Sequence, residues 1–106
     1  MFRRSRIERL VIRGKDEALA KMCVDHKQAV RLKALEGMAQ LGGDKCFERA
    51  AVCLSDPDPA IRCAAAQALA QINAEKGRQA IAGQLREERD PQVRHALREV
   101  MAQIAE

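Results

Sequence analysis

Apolar residues recur along this chain in three matched runs. The first is Val30, Ala34, Leu35, Met38 and Leu41; the second is Ile61, Ala65, Ala66, Leu69 and Ile72; the third is Val93, Leu97, Val100, Met101 and Ile104. Spacings of three and four residues put each run on one face of a helix. The runs start 31 and 32 residues apart, and a period in that range marks an array of stacked supersecondary units. No such unit covers its own apolar face, so neighbours must bury it.

The polar positions divide the chain further. Asp58-Pro59 and Asp90-Pro91 stand just before the second and third runs. An aspartate in that place accepts hydrogen bonds from the first free amides, and a proline fits the first helical position because it has no amide to leave unpaired. The first run opens near Asp25-His26 without a proline and closes at Gly42-Gly43, where glycine supplies left-handed backbone cheaply. Asn73 stands where Gly42 stood and is expected to take the same left-handed turn.

Between the runs lie partner helices. One is capped by Asp44, with Phe47, Ala50, Ala51 and Leu54 inside; the other spans about Glu75 to Glu88, with Ile81, Ala82 and Leu85 inside. Upstream, Ile7, Leu10 and Val11 predict a helix over 2–13, broken by Gly14. A further helix over Asp16–Val24 turns Leu19, Met22 and Cys23 inward, with Asp16 and Glu17 at the positive end of its dipole. The chain therefore predicts about seven antiparallel helices joined by short connections, an all-α solenoid. Its 106 residues form one domain: an N-terminal helix pair (1–25), two repeats (26–56 and 57–88) and a C-terminal half-repeat (89–106).

Composition sharpens this. The chain holds two Phe and no Tyr or Trp, so Ala and Leu must form a core of closely approaching helices. The net charge of +4 is uneven: residues 1–15 carry six basic residues against Glu8, which leaves the remainder at −1. Four cysteines, at 23, 46, 53 and 63, form no CxxC motif, and His26 and His95 have no cysteine at metal-site spacing. They fit small buried hydrophobes in a reducing, cytoplasmic setting. No apolar run approaches the roughly 20 residues of a membrane-spanning helix, and no cofactor motif is present. Position 98 breaks the repeat. Leu35 and Ala66 answer to Arg98, a charge where the pattern asks for an apolar residue. Val100, Met101 and Ile104 stay apolar nearby, so the last helix reads as an incomplete cap that could pair with a second copy.

Asp-Pro-x-Val/Ile-Arg, followed by an Ala-rich helix and a closing Leu-x-x-Ile, resembles the short HEAT-like repeat of the type also found in phycobilisome bilin lyases. The resemblance covers residues 26–106 closely and 2–25 loosely. It implies that Arg31, Arg62 and Arg94 each bond a loop carboxylate of a neighbouring repeat, a ladder whose acids would be Asp58 and Asp90, with Asp25 and Asp56 beside them. The other role open to these arginines is binding an external phosphate or carboxylate. The resemblance further implies that the second helix of each pair lines a concave face, here presenting Lys21, Glu48, Val52, Gln79, Gly83 and Arg86 to a protein or peptide.

Three functions follow for weighing. The first is a non-catalytic protein-binding scaffold using that face. The second is nucleic-acid binding through Arg3, Arg4, Arg6 and Arg9, weak, sequence-blind and salt-sensitive, since two Phe offer almost no stacking platform. The third is a bilin-lyase-like enzyme subunit, against which stands the lack of any nucleophile–base pair at a readable spacing. The scaffold is the reading the residues favour.

Overall fold

A computed structural model of the chain describes residue 6 and residues 16–105. Six α-helices follow one another among these residues: α1 (Asp16–Cys23), α2 (Gln28–Leu41), α3 (Gly43–Val52), α4 (Pro59–Ile72), α5 (Ala74–Glu87) and α6 (Pro91–Ala105). A single 3-10 turn, Cys53–Ser55, extends α3. The helix expected over 2–13 falls outside the described residues, apart from Arg6, which is helical and exposed. Arg3, Arg4 and Arg9 fall outside as well.

The helices form an all-α solenoid. The first helix of each pair, α2, α4 and then α6, packs on the next, while α3 and α5 lie against α4 from the other layer. Ile61, Ala65, Ala66, Ala68 and Leu69 of α4 are buried. Four of α4's residues in a row of five are small enough to let neighbouring helices approach from both sides, and alanine loses no side-chain entropy when it is buried. Leu35 and Met38 of α2, Ile81 of α5, and Val93 and Leu97 of α6 close on this helix from around it. Each such large aliphatic side chain contributes about 1.5–3 kcal/mol on leaving water.

Gly77 was not apparent from the apolar pattern, yet it sets how near α5 comes to α4. A Cβ at Gly77 would stand 3.0 Å from the Leu69 carbonyl oxygen and 3.1 Å from Ala70 Cα, both backbone atoms that cannot swing aside. The glycine is therefore there for closeness, not for an unusual backbone angle.

The caps decide where the helices start. Asp58 Oδ1 accepts from the Ala60 amide at 2.9 Å, ahead of Pro59 at the first helical position. Asp90 Oδ1 does the same for the Gln92 amide at 2.9 Å. Two expected turns differ. Asn73 does not adopt the left-handed conformation; it is extended, with φ −155°, and its side chain accepts from the Lys76 amide at 3.1 Å. One residue thus ends α4 and caps α5, a task that glycine at the matching place cannot perform. At that matching place the backbone is left-handed, with φ 72° at Gly42 and 88° at Gly43. Asp44 is not the cap of α3, because Gly42 already occupies the cap position; Asp44 lies in the first turn, exposed and 3.6 Å from Lys76 Nζ.

Candidate functional site

Three arginines repeat one geometry at the loops that lead into α2, α4 and α6. Each donates Nη1 to the carbonyl oxygen six residues before it: Arg31 to Asp25 at 2.8 Å, Arg62 to Asp56 at 2.8 Å and Arg94 to Glu88 at 2.9 Å. Arg62 also reaches the Pro57 carbonyl and Arg94 the Leu85 carbonyl. The helix lends its arginine to the chain segment entering it, so each loop is pinned to its own helix.

The remaining edge of the guanidinium points to the next loop along. Arg31 Nε lies 3.5 Å from Asp56 Oδ2, and its Nη2 lies 3.5 Å from Asp58 Oδ2. Arg62 makes the stronger contact, a two-pronged one: Nε to Glu88 Oε1 at 2.8 Å and Nη2 to Glu88 Oε2 at 3.0 Å. The ladder acid expected from sequence at Asp90 is thus Glu88 instead. Asp90 is committed to capping α6, and among the described residues no ion pair joins it to an arginine. The shared position is the one six residues before the arginine, occupied in turn by Asp25, Asp56 and Glu88. A parallel fork contact of this kind is the geometry in which arginine and carboxylate match best.

Glu88 is a buried acid, its side chain only 3% exposed. Burial alone would push its carboxyl up. The Arg62 fork, the Gln84 amide at 3.1 Å and the Asp90 amide at 3.2 Å outweigh burial and hold it below the usual glutamate range. Reciprocally, the hydrogen bond to Glu88 raises Arg62 further. Asp58, more exposed, is held low by the Gln28 side chain at 2.7 Å and by its own capping bond to Ala60.

The two filled rungs differ by one methylene. Glu88 reaches its arginine with two bonds, whereas the shorter Asp56 stops at 3.5 Å and leaves Arg31 Nε buried without a hydrogen bond. Asp56 also accepts the Asp58 amide at 2.8 Å, as Glu88 accepts the Asp90 amide, so a glutamate can serve both contacts. Asp56→Glu is therefore expected to stabilise the fold by about 1 kcal/mol, the scale of one satisfied hydrogen bond, measurable as a raised urea midpoint with unchanged slope.

On the second helices the expected partner-facing residues stand as follows. Lys21 of α1, Glu48 and Val52 of α3, and Gln79 and Arg86 of α5 are exposed, and Gly83 is half-buried with open space beside it. They lie on three separate helices and no hydrogen bond or ion pair among them is formed. Val52, at the last residue of α3, is 72% exposed, and Val24, just past the end of α1, is 79% exposed. On the opposite layer, an open groove of about 340 Å³ runs between α2 and α4, lined by Leu32, Glu36, Gln40, Ala64, Gln67 and Gln71.

Cys23, Cys46 and Cys53 are buried and Cys63 is half-buried. Cys23 Sγ lies 3.8 Å from Met38 Sδ. Its hydrogen bonding with Cys53, and then its burial, push the Cys23 thiol well above the ordinary cysteine value; burial also pushes Cys63 up. Such thiols are poor nucleophiles. Among the described residues no group of three or more His, Cys, Asp or Glu is placed to hold a metal ion, and no helix is long and apolar enough to cross a membrane. His26 lies 3.6 Å from Asp25 and His95 2.9 Å from Glu99, both exposed.

Stacked antiparallel helix pairs, tied loop to loop by a recurring arginine, define an α-solenoid. The family model for HEAT repeats matches residues 16–102, and the chain belongs to that family. No curated protein and no solved structure matches it.

Proposed function

We propose that this protein is a non-catalytic binding module whose second helices, α1, α3 and α5, receive a segment of a partner protein. HEAT repeats generally mediate contacts between proteins, and the observation that carries the reading here is Val52. A large aliphatic side chain, 72% exposed at the end of α3, has no role in the core. Glu48 lies one helical turn before it, and Arg86 on α5 supplies the opposite charge. An apolar anchor among charges of both signs suits a polypeptide rather than a polyanion.

The test is affinity capture with the intact chain beside Val52→Asp and beside a variant changed at Glu48, Gln79 and Arg86 together. All these positions are at the surface, so the variants are expected to melt within about 0.5 kcal/mol of the parent. A protein recovered by the parent and reduced about tenfold or more by both variants supports the reading. Equal recovery by all three, from a chain whose fold is verified by circular dichroism, overturns it.

A further inference from the structure

We propose that the α6 end of the solenoid is a second docking surface, on which Arg94 and Arg98 take a carboxylate-bearing loop of another polypeptide. Two of the three arginine rungs are occupied: Arg31 and Arg62 each hold their own loop's carbonyl and, on the far edge, stand beside an acid from the loop beyond. Arg94 keeps the first half of the pattern, donating to the carbonyls of Leu85 and Glu88. Among the described residues no carboxylate meets its other edge. The guanidinium is therefore oriented by two carbonyl oxygens toward the place where, in the previous rung, Glu88 lies.

The residue one turn on supplies a second, independent sign of what fits there. Arg98 is exposed, while its counterparts Leu35 and Ala66 are buried against the next helix. A further apolar helix packed in the same register would bury that charge without a partner, at a cost of several kcal/mol. Residues four apart on a helix stand one above the other, so Arg94 and Arg98 present two positive groups in line. The only acid that α6 itself sets beside them is Glu99, which is turned to His95 at 2.9 Å. Met101, seven residues after Arg94 and so on the same face, is half-buried and gives that surface an apolar margin. The occupant this chemistry selects is a protein segment passing from a helix end into a loop with at least two carboxylates, one of them in the two-pronged contact that Glu88 makes with Arg62. This surface is distinct from the second-helix face around Val52.

The ladder supplies its own probe. A labelled synthetic peptide of residues 81–92, the segment whose Glu88 fills the preceding rung, is titrated into the intact chain and followed by fluorescence anisotropy. Saturable binding is expected, weakened about tenfold or more by Arg94→Gln and by Arg98→Ala in the protein, and equally by Glu88→Gln in the peptide. The peptide substitution leaves the protein untouched, so the result stands even where Arg94→Gln disturbs the fold. Absence of binding at millimolar peptide, or equal binding by the Glu88→Gln peptide, overturns the proposal. So does equal competition by inorganic phosphate at the same concentration, which would make the site a general anion site. Concentration-dependent dimers in light scattering that vanish with Arg94→Gln would instead assign the surface to a second copy of the chain.

Discussion

Ala66→Asp is expected to leave the chain unfolded at room temperature. Ala66 has no solvent-accessible surface, being enclosed within the α4 layer beside Ala65 and Leu69. An aspartate there must either place a charge among alanines and leucines or take up a proton and leave hydroxyl and carbonyl unpaired. Adding the overpacking, the cost is about 4 kcal/mol or more, a large part of the 5–15 kcal/mol that holds an ordinary domain together. Circular dichroism and a thermal melt read the outcome directly. The internal control lies one repeat later: Arg98→Asp changes the same position of the repeat, at the surface, and is expected to move stability by about 0.5 kcal/mol at most. A cooperative melt for Ala66→Asp near that of the parent would show that the helical register is wrong.

The second large effect belongs to the Arg62–Glu88 pair. Glu88→Ala removes the acid but leaves a largely covered guanidinium, so about 3 kcal/mol should be lost, more than any exposed pair such as Lys33–Glu36 could supply. Glu88→Gln keeps the shape and part of the hydrogen bonding and should lose less. The pair also predicts a dependence on pH. Glu88 binds its proton less readily in the folded chain than in the unfolded one, where its value is near 4.5. Its contribution is therefore complete above pH 4.5 and is lost as pH falls below 4.5 through the folded value. Melts of parent and Glu88→Gln between neutral and acid pH should converge at the acid end. A gap that stays constant would mean that Glu88 carries no charge-dependent load.

At that pair the residue pattern alone does not show which acid meets the arginine. The repeat was legible in the chain because three levels of signal agree: the apolar spacing, the Asp-Pro caps and the arginine two residues after each proline's neighbour. Asp58 and Asp90 drew attention as ladder acids because they precede the helices so conspicuously. Yet Asp90 caps α6 and pairs with no arginine among the described residues, while Asp58 caps α4 through Oδ1 and meets Arg31 through Oδ2 at 3.5 Å. The tighter contact comes from two residues before the cap, where Glu88 takes Arg62 in a fork and still accepts the Asp90 amide. The signal was present: Asp25, Asp56 and Glu88 each stand six residues before an arginine, the same interval three times. The turn at Asn73 departs from the left-handed expectation for a related reason. Asparagine serves left-handed turns and caps alike, and which it does depends on the amide of Lys76 standing within reach, a fact of the folded chain. Gly77 was illegible because a missing side chain has no pattern. The residues expected on the second-helix face, Val52 among them, could be placed on their helices from spacing, and Lys21, Glu48, Val52, Gln79 and Arg86 are exposed; whether they meet a partner is not written in spacing.

The arginine rungs all lie along the edge where second helices lead into first helices. Among the described residues, the opposite edge, at Gly42-Gly43 and Asn73, holds across neighbouring pairs only the exposed contact of Lys76 with Asp44 and the Phe47 ring. The stack is thus hinged like a book: bound along a spine of guanidinium and carboxylate, held at the fore-edge by little more than oily contact. A bending force should fan the leaves on that looser side first, giving the molecule one soft direction and one stiff one.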